Sequence, residues 1–328
     1  MENNEAKKLV IKAGKVLSKT GLIARTWGNV SARIDEKTFC ITASGRNYVT
    51  LTSEEIVQVK IKDLSWSGNF IPSSEKMVHR KIYELRPEVN FIIHTHQNYA
   101  SAVSVSGLKL ISADEKYDKL CGKVLISDYG LPGTETLCEK TGSAVKSSLG
   151  KAVIMKHHGA VCFGENYEDA FGAAMQLEEL CKAYTKTLNI SQIENPSKAI
   201  IHQYTEKNER LYFWNIERCV VDYAKTGQSL APFLDDFAQL VGAKVSIVET
   251  EEKAMKIAET HNAVILLGKG ILCAGDSIGD LEAINMIVSK NVFAYFVAKA
   301  HGNANPISEN EAQIMRNIYL EKYSKLAK

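Results

Sequence analysis

Residues 91–96 read Phe91-Ile92-Ile93-His94-Thr95-His96, an apolar run that closes on two histidines separated by one residue. Such a run predicts a buried β-strand. Side chains alternate between the two faces of a strand, so His94 and His96 point the same way at its end. The triplet alone leaves two interpretations open: two solvated histidines on an exposed strand, or two ligands of a metal ion.

Two further residues favour the metal site. Glu75 follows a pair of serines, and His158 follows the strand candidate at residues 152–155. Together with His94 and His96 they supply one carboxylate and three imidazoles. This donor set suits a divalent metal with borderline-soft preferences, and we expect Zn²⁺ or another divalent cation.

Length and composition indicate an ordinary globular protein. The 328 residues allow two domains, and the content of 45% hydrophobic and 24% charged residues is unremarkable for a soluble chain. The formal net charge of +2 gives no electrostatic case for a nucleic-acid or membrane partner. No apolar run is predicted to span a bilayer, and the polar N-terminus is unlike a signal peptide. The seven scattered cysteines, with no CxxC pair, are typical of reduced thiols, so we expect a cytoplasmic protein.

The hydrophobic periodicity predicts alternating helices and strands, that is, an α/β protein. Helices are predicted over residues 6–22, from Ser73 or Ser74 to Pro87, over 98–106, over 136–149 and from Asn166 to about Leu188. A further helix start is predicted at Thr52-Ser53-Glu54-Glu55. Strands are predicted over residues 38–42, 57–61, 91–96, 124–126 and 152–155.

A change in composition predicts a domain boundary. The stretch Asn189–Ser197 is polar and contains a proline. We therefore expect a first domain of residues 1–190 and a smaller C-terminal α/β segment of residues 198–328.

The C-terminal segment contains an apparent repeat of the first domain. Residues 263–275 resemble residues 152–164, and Lys269 takes the place of His158. Such a similarity can arise by chance when two segments share a strand–turn–strand shape. It can also arise by descent, from a partial duplication whose copy lacks the metal ligand. We favour the duplication, which predicts a metal-free partial repeat.

Five short motifs follow one another in the first domain. In chain order they are Gly28-Asn29-Val30-Ser31, Ala43-Ser44-Gly45, Ser73-Ser74-Glu75, His94-Thr95-His96 and His158-Gly159. In this order and spacing the chain resembles the class II aldolase/adducin family over roughly residues 5–188, and within it the metal-dependent sugar-phosphate aldolases. The resemblance implies a three-layer α/β/α fold around a mainly antiparallel sheet.

The resemblance also implies roles for individual residues. The positions that match metal ligands are Glu75, His94, His96 and His158, and Glu75 is further expected to act as the catalytic acid/base. The positions that match phosphate-binding residues are Asn29, Ser44, Gly45, Ser73 and Ser74. Serines at a helix start suit an anion on physical grounds too, because the free N–H groups and the helix dipole attract it. The family's proton-donating tyrosine does not align cleanly, and the candidates are Tyr117 and Tyr129.

The reaction implied is the reversible cleavage of a ketose 1-phosphate to dihydroxyacetone phosphate and an aldehyde, through a metal-stabilised enediolate. A 4-epimerase or a dehydratase would use the same chemistry. A non-enzymatic, adducin-like scaffold is the third possibility, and the retention of all four ligands argues against it. By resemblance we expect a homotetramer that acts on a small sugar phosphate. No Gly-x-Gly-x-x-Gly fingerprint is present, so no dehydrogenase module is predicted.

Overall fold

The computed structural model describes residues 1–23, 27–192 and 203–323. The chain divides into two compact units. The first unit comprises residues 1–104, 108–184 and 321–328, and the second comprises residues 105–107 and 185–320. The predicted boundary stretch reaches past residue 192, so that residues 193–197 lie outside the described part of the chain.

The first unit alternates strands and helices. Its elements are α1 (Asn3–Thr20), β1 (Asn29–Arg33), β2 (Thr38–Thr42), β3 (Ile56–Lys60), α2 (Lys76–Leu85), β4 (Phe91–Thr95), α3 (Asn98–Val103), β5 (Leu110–Ser112), β6 (Lys123–Ser127), α4 (Glu135–Ser147), β7 (Ala152–Met155), β8 (Ala160–Gly164) and α5 (Tyr167–Thr187).

These strands form one eight-stranded sheet in the order β3-β2-β1-β4-β8-β7-β6-β5. All neighbouring pairs are antiparallel except β6 and β7, which run parallel. One hydrophobic core joins the sheet to α1, α3 and α5, and a separate core joins its other face to α2 and α4. The expected three-layer α/β/α fold with a mainly antiparallel sheet is therefore confirmed.

The central strand β4 is buried along its whole length and contributes side chains to both hydrophobic cores. Phe91 and Ile93 belong to the core with α1 and α5, whereas Ile92 belongs to the core with α2 and α4. Since residues two apart share a face, His94 projects to the same side as Ile92, towards α2.

Two sequence predictions near the site differ from the structure. The helix start predicted at Thr52 is wrong: Glu55 accepts hydrogen bonds from the backbone N–H and the hydroxyl of Thr52 at 2.9 and 3.3 Å, but the turn leads directly into β3. The residues that follow alternate between buried and exposed, which is a strand period and overrides the capping signal. Helix α2 begins after Glu75, which occupies the N-cap position in place of a serine and makes no side-chain capping hydrogen bond.

The second unit has its own sheet and helices. Its elements are β9 (Thr205–Lys207), β10 (Arg210–Asn215), α6 (Arg218–Ala224), α7 (Asp235–Leu240), β11 (Ile247–Val248), α8 (Glu251–Ala258), β12 (Ala263–Leu266), β13 (Gly270–Gly275), α9 (Ile278–Ala300) and α10 (Glu309–Ile318). Its five-stranded sheet has the order β11-β12-β13-β10-β9.

Helix α9 is long and apolar enough to cross a membrane, with a mean hydropathy of 1.2, although no such span was expected. Most of it is buried inside the protein, with 78% of that apolar window covered. It carries Lys290, whose ammonium pairs with the Asp236 carboxylate in the interior of the unit. A buried helix with a paired charge is typical of the core of a soluble unit.

The strand pattern of the second unit repeats that of the first. β13 lies antiparallel between β12 and β10, as β8 lies between β7 and β4, and β11 is parallel to β12 as β6 is to β7. Thr95 pairs with Ala160 at the end of β4, and Asn215 pairs with Ile271 at the end of β10. The registers agree with the sequence alignment and support the proposal of a partial repeat.

Candidate active site

Three histidines and one glutamate converge at the end of β4. The Nε2 atom of His94 lies 3.1 Å from that of His96 and 3.0 Å from that of His158. The Glu75 carboxylate bridges two of these rings, with Oε2 at 3.0 Å from His94 Nε2 and Oε1 at 3.0 Å from His158 Nε2. The structure thus brings together the four ligand candidates of the sequence analysis, from the start of α2, the end of β4 and the β7–β8 turn.

The geometry of this cluster fits a metal ion. His94 Nδ1 donates to the carbonyl of Ala160 at 2.9 Å, which leaves Nε2 as the ring atom that faces the other converging side chains. Lone pairs at 3 Å repel unless a cation or a proton lies between them. Ligand atoms in a tetrahedron around zinc, with bonds of about 2.0–2.1 Å, are roughly 3.3 Å apart. The histidine cluster can therefore bind a metal ion.

The environment of Glu75 favours its ionised form. Burial alone would raise the pKa of this carboxyl, but the neighbouring His94 and His158 outweigh burial and hold the pKa well below its usual range. The side chain is 9% exposed, so its charge lies in the interior of the unit. A buried carboxylate with imidazole neighbours is a usual metal ligand.

The predicted phosphate-binding serines lie together beside Glu75. A β-bridge joins Ala43 to Pro72, so the segments that carry Ser44 and Ser73 run side by side. Ser44 donates its hydroxyl to the carbonyl of Pro72 at 3.2 Å, and the Ser73 hydroxyl accepts from the Glu75 N–H at 3.3 Å. Gly45 and Ser74 are partly exposed next to them, so this corner remains accessible to a ligand.

Asn29 has a different set of contacts from the expected phosphate ligand. Its amide nitrogen donates to Glu75 Oε2 at 2.9 Å, and its amide oxygen lies 2.5 Å from Nε2 of His79. Both polar ends of this buried side chain face protein groups. These contacts give Asn29 a role in holding Glu75, and its expected contact with a phosphate stays a prediction.

The two candidate tyrosines lie in different surroundings. Tyr117 is 3% exposed and packs into the core with α1 and α5, away from the face that carries the metal ligands. Tyr129 is partly exposed, and its ring meets that of His157 edge to face with centroids 5.2 Å apart. His157 precedes the ligand candidate His158, so of the two tyrosines Tyr129 is the one beside the site.

Three residues around the site were missed from the sequence: Ser31, His79 and Tyr83. They lie behind Asn29 and connect to it by hydrogen bonds. The signal that would have identified two of them is spacing, because Glu75, His79 and Tyr83 recur every four residues and so share one face of α2.

Comparison with known proteins agrees with this fold. The sequence model of the family described as Class II Aldolase and Adducin N-terminal domain matches residues 8–185. The L-fuculose phosphate aldolase of Escherichia coli (strain K12) is 30% identical over 192 residues, which cover 58% of this chain and 87% of the relative. The enzyme of the same name from Haemophilus influenzae is 31% identical over 191 residues, covering 58% and 86%.

A solved structure supports the same relationship. An L-fuculose 1-phosphate aldolase superposes with a TM-score of 0.52 and 27% identity, covering 56% of this chain and 86% of that one. The family model matches more than half of the chain and the relatives are aldolases, so this chain belongs to the class II aldolase and adducin family, as an enzyme of the carbon–carbon lyase type.

Proposed function

We propose that this protein is a zinc-dependent aldolase that reversibly cleaves a ketose 1-phosphate to dihydroxyacetone phosphate and an aldehyde. The observation that carries the proposal is the convergence of Glu75, His94, His96 and His158 beside a corner lined by serines. A relative with 30% identity bears the name L-fuculose phosphate aldolase, which supports a sugar phosphate as the substrate class.

In this proposal the four converging residues hold Zn²⁺. Three neutral imidazoles and one carboxylate suit its preference for nitrogen and oxygen donors. When bound, the cation supplies Lewis-acid stabilisation of the negative charge that develops on the substrate oxygens during cleavage.

The serine corner orients the substrate. Ser44, Gly45, Ser73 and Ser74 offer hydroxyl and backbone N–H groups next to the start of α2, where an anion is favoured. A phosphate bound there fixes one end of the ketose beside Glu75, so that the reacting carbon atoms lie near its carboxylate.

Two side chains move protons. In the direction of condensation, Glu75 takes a proton from C3 of dihydroxyacetone phosphate, and Tyr129 donates a proton to the aldehyde oxygen as the C3–C4 bond forms. In the direction of cleavage the same groups act in reverse. We favour Tyr129 over Tyr117 because it lies against His157, whereas Tyr117 is enclosed in the opposite core.

The substrate class is tested with a panel of ketose 1-phosphates and an enzymatic assay for dihydroxyacetone phosphate, run with and without a chelator. We expect release of dihydroxyacetone phosphate that the chelator abolishes and Zn²⁺ restores. Inversion at C4 without release would identify the 4-epimerase, and loss of water or of another leaving group would identify the dehydratase. Metal-free protein that binds a partner unimpaired would favour the adducin-like scaffold.

The ligand assignment is tested by His96→Ala. We expect it to remove bound metal and to lower the rate of cleavage by more than about a hundredfold. This exceeds the loss of about 10–100-fold that is usual when a residue next to a metal ligand is replaced. The fold should persist, because His96 follows β4 and belongs to neither hydrophobic core of the first unit. The matched control is His261→Ala, which truncates an exposed histidine of the second unit. Undiminished metal and activity in His96→Ala would rule out the assignment.

The resemblance also supports a cytoplasmic homotetramer. Sedimentation equilibrium of the purified protein tests the assembly, with four times the chain mass of 36.3 kDa as the expected result. A stable monomer would contradict it.

A further inference from the structure

A buried chain of hydrogen bonds runs from Glu75 away from the metal-ligand candidates. Asn29 Nδ2 donates to Glu75 Oε2 at 2.9 Å, and Asn29 Oδ1 lies 2.5 Å from His79 Nε2. His79 Nδ1 lies 2.6 Å from the Ser31 hydroxyl, which lies 2.7 Å from the hydroxyl of Tyr83. All five side chains are buried, and each link is side chain to side chain.

Two regular elements position this chain. Asn29 and Ser31 are two residues apart on β1 and share one face of the strand. Glu75, His79 and Tyr83 recur every four residues and share one face of α2. The side chains from β1 and from α2 alternate along the chain of hydrogen bonds. The packing of these two elements therefore positions all four hydrogen bonds.

The chemistry of the groups orders the protons in one direction. An ionised carboxylate only accepts, so the amide nitrogen of Asn29 must face Glu75 and its oxygen must face His79. That oxygen needs the Nε2–H tautomer of the ring, which leaves Nδ1 to accept from Ser31 and the serine oxygen to accept from Tyr83. Every donor along the chain then points towards Glu75.

His79 holds its place as a neutral ring. It has no exposed surface, and burial lowers its pKa to about 3. The ring is therefore neutral at pH 7, which agrees with the proton order above. The ring of Tyr83 is held in turn by the Arg33 guanidinium, 4.5 Å from its centroid.

We propose that His79, set by Ser31 and Tyr83, is a positioning residue that locks the amide of Asn29 and thereby aims the carboxylate of Glu75. This inference rests on the proposed function, in which Glu75 is both a metal ligand and the acid/base. Without the ring, the amide is free to turn its oxygen against the carboxylate. Glu75 then loses a fixed orientation towards the metal and towards the substrate.

The test compares His79→Leu with the wild type in cobalt-substituted protein. We expect an altered visible absorption spectrum of bound Co²⁺ and a loss of about 10–100-fold in metal affinity, the range for outer-shell partners of ligands. The kcat of the zinc form should fall by a similar factor, while the KM for the substrate stays within about twofold, because the serine corner is untouched.

Further variants along the hydrogen-bond chain should reduce metal affinity and kcat to different extents. His79→Gln keeps an N–H donor towards Asn29 and should restore part of the metal affinity and kcat. Ser31→Ala removes the donor that sets the tautomer and should resemble His79→Leu in a milder form. Tyr83→Phe removes the last link alone and should have the smallest effect of the series.

The matched control is Val78→Ala, which truncates a buried neighbour on α2 that belongs to the hydrophobic core. If His79 has a merely structural role, His79→Leu and Val78→Ala should both lower thermal stability. The Co²⁺ spectrum and the kcat of the metal-loaded His79→Leu protein should then equal those of the wild type. That result, in His79→Leu or in Ser31→Ala if the leucine variant does not fold, would overturn the inference.

The two proposals fail differently. If the wild type binds Co²⁺ but cleaves no ketose 1-phosphate, the reaction is wrong, and the Co²⁺ spectra of the variants still decide the positioning role. If the wild type binds no Co²⁺, the metal site is overturned and this inference with it.

Discussion

Single residues decide how closely the strands approach at the candidate site. Gly159 follows the ligand candidate His158, and a Cβ atom there would lie 2.1 Å from the carbonyl oxygen of Thr95. Gly28 has a φ of 97° and a Cβ there would lie 2.5 Å from the carbonyl oxygen of His94. Both contacts are with the backbone of the β4 end, so an added methyl group forces the strands apart.

We expect Gly159→Ala to weaken metal binding by more than tenfold and to lower the free energy of unfolding by about 1–3 kcal/mol, the usual cost of overpacking. The reason is that His158 would move away from His94 as β8 shifts. Chelator competition and chemical denaturation measure the two effects. Gly122→Ala is the control for metal binding: nothing lies within 4 Å of its added Cβ, but its φ of 80° disfavours alanine, so it should lose stability and keep the metal affinity of the wild type. Equal metal affinity in Gly159→Ala and wild type would contradict the steric argument.

At the scale of elements, Asp169 ties the start of α5 to two other segments. Its carboxylate accepts from Lys119 Nζ at 2.8 Å and from Lys151 Nζ at 2.5 Å. These two hydrogen bonds outweigh burial and lower the pKa of Asp169. The Asn166 side chain caps the same helix by accepting from the Asp169 N–H at 2.9 Å, as the sequence predicted.

Asp169→Asn should lower the free energy of unfolding at pH 7 by about 0.5–1 kcal/mol, since the pairs are partly exposed. The folded pKa lies below the unfolded value of about 3.9, so the ionised carboxylate stabilises the folded state above that pH. This contribution is lost as the pH falls through the folded pKa, and the difference between variant and wild type should vanish there. Urea denaturation across pH measures it, with the exposed Asp114→Asn as control. A difference that persists in acid would disprove the electrostatic origin.

At the scale of the whole molecule, the second unit repeats the strand pattern of the first without its ligands. The registers place Trp214 where His94 lies, Ile216 where His96 lies and Lys269 where His158 lies. The Lys269 ammonium sits 4.4 Å from the centroid of the Trp214 ring, a cation–π contact. A cation in place of an imidazole excludes a metal ion from this position by repulsion and by the lack of a lone pair.

We therefore expect one tightly bound metal ion per chain. Within the described residues, the converging group of potential ligands comprises His94, His96 and His158. Titration of the metal-free protein with Zn²⁺ against a chromophoric chelator should give one equivalent, and none at this affinity in His96→Ala. Two equivalents of tightly bound metal would contradict the interpretation of the second unit as a metal-free repeat.

Much of the fold could be predicted because its signals are local. The strand at residues 38–42 and the helix that begins after Asn166 follow from periodicity and capping, and both agree with β2 and α5. The prediction of a helix start at Thr52 was wrong because a short capping motif does not determine the hydrophobic periodicity of the residues that follow it. The ligand set could be inferred from residue types and their order along the chain, and the structure brings those residues together.

The sequence by itself determined the alternation of elements, the family and the chemical nature of the donors, because these depend on neighbouring residues and on side-chain type. Only the tertiary structure revealed the contact of Asn29 with Glu75, since the two residues are 46 positions apart along the chain. The same holds for the contact of Tyr129 with His157, on which our preference for Tyr129 rests, and for the link from His79 to Ser31. Their distances depend on how α2 packs on β1 and on which sheet face each side chain occupies, and no local pattern encodes that packing.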